Sequence, residues 1–367
     1  MKSFIRQEIA LPAGLLTLLF FKTLGSDLLA ETTPLAVYLP VSLALLAIVT
    51  WAIFSVVRHS DALAIKLGEP FGTLILTLSV ISLEVVMISS VMLTGDPNPT
   101  MARDTMFAVV MLVTNGLVGF TLLFGGWRYH TQNFNLDGVK SYLVAIIPLA
   151  LLCLVLPNFT QGGTLGSLSK AMSWMLIIIS ILLYGVFLLI QTRSHSHSHF
   201  FVDSDHEDLE DHHGPLQSNV YHTLLLLAYL VVVILLAKTL AIPINYGVHV
   251  MEAPMALGGF IVACIVLAPE AVGAIKAAFN NQLQRAMNLY FGSVLATIAL
   301  TVPSVLFIGS LMGQEVRLGL SPADMVLLIT TLMVCKVTFS SGRTHALHGA
   351  THLVLFVVYL FLMFEHG

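Results

Sequence analysis

Apolar runs, most of them close to 20 residues long, recur from one end of this 367-residue chain to the other and leave it few folds to choose from. They fall near 9–25, 35–57, 70–93, 104–125, 141–157, 170–191, 220–241, 254–277, 286–311, 324–340 and 346–364. As a helix, about 20 residues cross the ~30 Å of bilayer hydrocarbon. Lipid offers backbone N–H and C=O groups no partner, so an open chain crosses it as helices. Composition agrees: 57% of the residues are hydrophobic and 10% charged, against roughly 25% charged in soluble domains, and the mean hydropathy is +0.91. The chain therefore reads as an all-α polytopic membrane protein of about 11 transmembrane helices. Nothing in it suggests nucleic-acid binding. Cys153, Cys264 and Cys335 each lie inside an apolar run, so no disulfide framework can be read from them. Lys2 and Arg6 precede the first run in the manner of a signal peptide, but no small-residue cleavage site follows before Asp27, and a retained first helix is expected.

Organisation follows from charge and from parity. With the N-terminus in the cytoplasm, 11 of the 16 Lys and Arg residues gather on the cytoplasmic side, among them Arg58, Lys66, Arg128, Lys140, Arg193, Lys276, Arg285, Lys336 and Arg343. That bias orients a membrane protein, and it puts the C-terminus on the outer side. The one long polar connection, Thr192 to Ser218, then lies in the cytoplasm. Five spans precede it once the first is set aside, and five follow. An odd number per half turns the halves upside-down relative to each other, a common plan of secondary transporters with a midplane site. The expected organisation is an N-terminal helix in 1–30, a first inverted repeat in 31–193, a His-rich acidic linker in 194–218 and a second inverted repeat in 219–367. Placing Glu84 on Glu270 also brings Gly72 onto Gly258, and Glu69-Pro70 and Glu252-Ala253-Pro254 open equivalent spans.

Glu84 and Glu270 each stand more than halfway along an apolar helix. A charge there costs roughly 3 kcal/mol even on insertion scales, and such residues mark ion pathways and proton relays; the alternative is a paired glutamate that holds helices together. Thr73, Thr77 and Glu84 share one stripe of their helix, and oxygen ligands suit a hard cation. Pro269 removes a backbone hydrogen bond beside Glu270 and frees the carbonyl of Ile265. Asn115 sits mid-span in the next helix of the first half, with Ser293 and Thr297 on the corresponding helix of the second. Two carboxylates neutralise a divalent cation; once it leaves, two negative charges in low dielectric favour proton uptake. Cation and proton then compete for the same oxygens, and no cofactor is implied. The chain contains no G-x-x-x-x-G-K-[ST] motif to power a primary pump.

These residues carry a resemblance. Leu67-Gly68-Glu69-Pro70-Phe71-Gly72 followed by Leu83-Glu84 resembles the first glutamate-bearing repeat of the calcium/cation antiporters, in particular the cation/proton exchanger branch. Pro269-Glu270-Ala271-Val272 through Asn281, then Ala286-Met287-Asn288 and Gly292-Ser293, is similar to the second. Tyr184 to Thr192 and His195 look like the signature before the family's acidic linker. The resemblance covers most of the chain and implies a proton-coupled exporter of Ca²⁺, and also of Na⁺ or K⁺, rather than an enzyme. Three departures stand out: Val80-Ile81 replaces the usual Gly-Asn, Ala296 replaces a polar residue, and the last-helix pattern reads Ser341 to Gly349. Fewer ligands imply weaker calcium binding or tolerance of monovalent ions.

Histidines supply the rival readings. The linker sets His195, His197, His199, His206, His212 and His213 among Asp203, Asp205, Glu207, Asp208, Glu210 and Asp211. It reads as a solvated tether or as a divalent-cation sensor. His345, His348 and His352 fall on one helix face, where they serve proton delivery, packing or zinc ligation. A zinc exporter, an intramembrane metalloenzyme built on these three, and a passive channel are the alternatives to the antiporter.

Overall fold

The computed structural model describes residues 8–68, 71–94, 98–160, 163–191 and 217–365. Each apolar run is a helix: α1 (Ala10–Thr23), α2 (Leu35–Leu67), α3 (Phe71–Met92), α4 (Met101–Tyr129), α5 (Leu136–Leu154), α6 (Lys170–Leu189), α7 (Asn219–His249), α8 (Met255–Phe279), α9 (Leu283–Met312), α10 (Pro322–Thr338) and α11 (Ala346–Glu365). All but α1 and α10 are at least 18 residues long and apolar enough to cross a membrane. The protein is a multi-pass membrane protein. Several helices start where a side chain satisfies the first free N–H groups. Asn135 accepts from the N–H of Asp137 and Gly138, Ser218 from that of Tyr221, and Ser321, followed by Pro322, from that of Asp324.

Two of the long helices widen at equivalent places. In α4 residues Leu112–Leu117 form a π-turn, and in α9 residues Thr297–Thr301 do the same. Pro303 explains the second, since it has no N–H to return to the preceding turn. No proline lies in α4, and its wide turn contains Asn115.

The chain divides into two compact units, each drawing on both halves of the sequence. The first contains α1, α2, α3, α7 and α8 up to Pro269. There α2 packs against α3 and α7, α1 rests on α2 and α7, and Tyr38 stacks on Tyr246 at 4.1 Å. The second contains α4, α5, α6, α9, α10, α11 and α8 from Glu270 onward.

Within the second unit two loop pairings reveal the inversion. Strand β1 (Gln132–Asn133), just before α5, pairs antiparallel with β2 (Arg343–Thr344), just after α10. Ser167, after α5, bridges Arg317, before α10. So α5 runs from the strand end to the bridge end, and α10 runs the other way. The two hold the same place in their halves, which makes the fold a pair of inverted five-helix repeats preceded by α1.

Candidate functional site

Glu84 belongs to the first unit. It is 2% exposed on α3, with Thr73 and Thr77 half-buried 11 and 7 positions earlier. Those separations hold all three on one face of the helix. Glu69, a further candidate, lies outside the described residues, as do Asp203, Asp205, Glu207 and Asp208 of the linker.

Glu270 opens the second unit's share of α8, immediately after Pro269. Ser293 of α9 donates its hydroxyl to Glu270 Oε2 at 3.1 Å. Thr297 is buried one turn further along α9, at the start of the wide turn. Ser293 and Glu270, singled out separately in the sequence, are thus in contact.

The wide turn of α4 holds Asn115, which is fully buried. Its Nδ2 donates to Thr331 Oγ1 of α10 at 2.8 Å and lies 3.4 Å from Met111 Sδ. Its Oδ1 is 3.0 Å from His352 Nδ1 of α11. The other ring nitrogen of His352 is 3.1 Å from Thr338 Oγ1. Thr331 and Thr338 carried no signal in the sequence beyond their spacing of seven, which sets both on one face of α10. His345, just before α11, and His348 and His352 on it do not converge. His345 and His348 stack with ring centroids 4.0 Å apart, one exposed and one half-buried, and His352 alone is fully buried. Among the described residues, no group of three or more His, Cys, Asp or Glu is arranged to hold a metal ion.

A second polar cluster had gone unnoticed in the sequence. In the first unit Glu8, ahead of α1, accepts from Arg58 at 2.8 and 2.9 Å, from Tyr229 at 2.9 Å and from Tyr221 at 3.2 Å. His59 Nε2 lies 3.3 Å from Glu8 Oε2, and its Nδ1 lies 3.0 Å from His222 Nδ1. Partial burial of Glu8 pushes its carboxyl up, yet the His59 hydrogen bond, the Arg58 charge and the Tyr229 hydroxyl together hold it down at about 2. Ordered along the chain, the cluster ties the start of α1 to α2 and α7.

The sequence profile of the sodium/calcium exchanger protein family matches residues 37–193 and 221–365. The chain belongs to this family. Its sequence is 46% identical over 344 residues, 91% of either chain, to the sodium-potassium/proton antiporter ChaA of Escherichia coli (strain K12). Its fold is similar to that of native YfkE, with a TM-score of 0.74 at 18% identity over 98% of this chain and 99% of the other. It also resembles the H⁺/Ca²⁺ exchanger CAX, with a TM-score of 0.66 at 13% identity over 98% and 89%. At such identities the shared property is the fold.

Proposed function

We propose that the protein is a secondary active antiporter that exports Ca²⁺, and also Na⁺ or K⁺, in exchange for H⁺ by alternating access. Cation and proton compete for Glu84 and Glu270, assisted by Thr77, Asn115 and Ser293, with Thr73 and Thr297 as further oxygen donors. The observation that carries this reading is the pair of glutamates at equivalent places on α3 and α8 of a sodium/calcium exchanger fold. One of them accepts a hydroxyl hydrogen bond from the neighbouring helix. Carboxylates and hydroxyls suit hard cations. Loss of the cation leaves uncompensated negative charge in a medium of low dielectric, and protons relieve it. No covalent chemistry is required. The sodium-potassium/proton antiporter among its relatives favours monovalent ions as further substrates beside calcium. The membrane is the bacterial inner membrane, with the N-terminus cytoplasmic and the C-terminus periplasmic, as the distribution of Lys and Arg supports.

The test is proton flux in proteoliposomes loaded with a pH dye, with Ca²⁺, Na⁺, K⁺ and Zn²⁺ added in turn. Cation-evoked flux should appear with Ca²⁺ and vanish in Glu84→Gln and in Glu270→Gln while both proteins remain inserted. Undiminished exchange by either variant would remove the proposed site.

A further inference from the structure

The close approach of α4 and α11 brings together two polar side chains separated by 237 positions in sequence. It depends on missing side chains. A Cβ at Gly119 of α4 would stand 3.0 Å from the Cβ of His352, and one at Gly349 of α11 would press on the backbone of Leu123 and Gly119. His352, one turn beyond Gly349, therefore reaches over the wide turn of α4 and meets Asn115.

The donor and acceptor roles follow from what each atom is able to do. An amide oxygen only accepts, so the ring nitrogen facing Asn115 Oδ1 carries the hydrogen. In a neutral imidazole the other nitrogen then accepts from the Thr338 hydroxyl. At its opposite end the Asn115 amide donates to Thr331. The amide is thus gripped from both sides, and one lone pair of Oδ1 is left over.

A side-chain amide offers a cation either an oxygen, which binds it, or an NH₂, which repels it. The two differ only by a half-turn of the group. Whatever fixes that half-turn decides whether Asn115 is a ligand.

We infer that His352 is a positioning residue of the transport site: by donating from Nδ1 to Asn115 Oδ1 it locks the Asn115 amide in the orientation that keeps an oxygen available to the cation. His352 acts here as a fixed donor and not as a carrier of the exchanged protons. This rests on the antiport reading above, in which Asn115 assists the two glutamates.

The test uses full-length protein in proteoliposomes, with Ca²⁺-evoked proton flux measured against Ca²⁺ concentration to separate KM from the maximal rate. His352→Asn keeps an N–H near the place of Nδ1; His352→Gln supplies one nearer Nε2 and leaves Asn115 unserved. Expected is a KM within about twofold of the parent for His352→Asn. For His352→Gln a rise of about three- to tenfold is expected, the size of one neutral hydrogen bond, with the maximal rate little changed. Thr331→Val, which frees the other end of the amide without changing its neighbour's volume, should raise KM similarly. It keeps the question decidable if His352→Gln proves unstable by size-exclusion and thermal unfolding. Asn115→Ala should raise KM, and adding His352→Gln to it should do no further harm. Equal impairment by His352→Asn and His352→Gln, additive losses in the double variant, or an unchanged KM in Asn115→Ala would each overturn the inference. Glu84→Gln and Glu270→Gln run alongside: if they abolish flux while the His352 pair does not differ, this inference alone fails. If they retain flux, the antiport reading fails first.

Discussion

At the scale of single residues, the Ser293 hydroxyl on Glu270 is the contact that most directly links the second half's polar residues to its carboxylate. A hydrogen bond to a charged group contributes about 1.5–3 kcal/mol, against about 1 kcal/mol for a neutral pair. Ser293→Ala should therefore weaken calcium affinity by about tenfold while leaving the proton-loaded carrier able to turn over. Calcium titration of exchange in proteoliposomes checks this, and an unchanged half-saturating concentration would reduce Ser293 to a packing residue. Glu84, Glu270 and Asn115 were legible in the sequence because each is a polar intrusion into an apolar run, and burying a polar group is costly enough to demand a reason. Thr331 and Thr338 were not, since a helical threonine ordinarily satisfies itself on the carbonyl four residues back. Thr330 and Thr351 do so here. Glu8 escaped for another reason: it precedes the first apolar run and looks like any solvated residue of a polar tail.

At the scale of elements, Glu8 explains what holds α1, the helix outside the repeats. Its partners Arg58 and His59 come from α2, and Tyr221 and Tyr229 from α7. Its carboxyl titrates near 2 in the folded protein against an ordinary 4.5. The ionised form therefore stabilises the fold in full above about pH 4.5, and that contribution is lost as pH falls from there through about 2. Glu8→Gln should cost about 1–3 kcal/mol at neutral pH. It should also flatten the decline in stability across the acid window, because the variant has no carboxyl left to protonate. Thermal unfolding in detergent at neutral and acid pH reads both effects; parent and variant that melt together at neutral pH would dismiss the anchor. The helices themselves were plain in the sequence, because a membrane span announces itself by length and hydropathy alone. The wide turns were only half visible. Pro303 points to the one in α9, whereas nothing in the letters of α4 distinguishes Leu112–Leu117 from ordinary helix.

At the scale of the whole molecule, parity alone called for inversion, and the two loop pairings supply its physical form. They also make topology measurable. In a background free of Cys153, Cys264 and Cys335, single cysteines at Thr131 and Ser341, both exposed beside the strand pair, should react with a membrane-impermeant maleimide from one face. Cysteines at Gly163 and Glu315, exposed beside the bridge, should react only from the other. Labelling of all four from a single face would contradict the inverted arrangement. What the sequence did not announce is that the compact units fail to coincide with its halves. Which helices of a bundle prefer each other depends on side chains far apart in the chain, and hydropathy is blind to that choice.

That interleaving has a consequence for how the protein is made. When the ribosome has finished α6, neither unit exists yet. The first still lacks α7 and α8 up to Pro269, and the second lacks the rest of α8 and α9 to α11. Glu8 has by then met Arg58 and His59 but not the two tyrosines of α7, and Asn115 has met neither Thr331 nor His352. Both units therefore close only after α6 has entered the bilayer, the first with α7 and α8 and the second with the last helices to leave the translocation machinery.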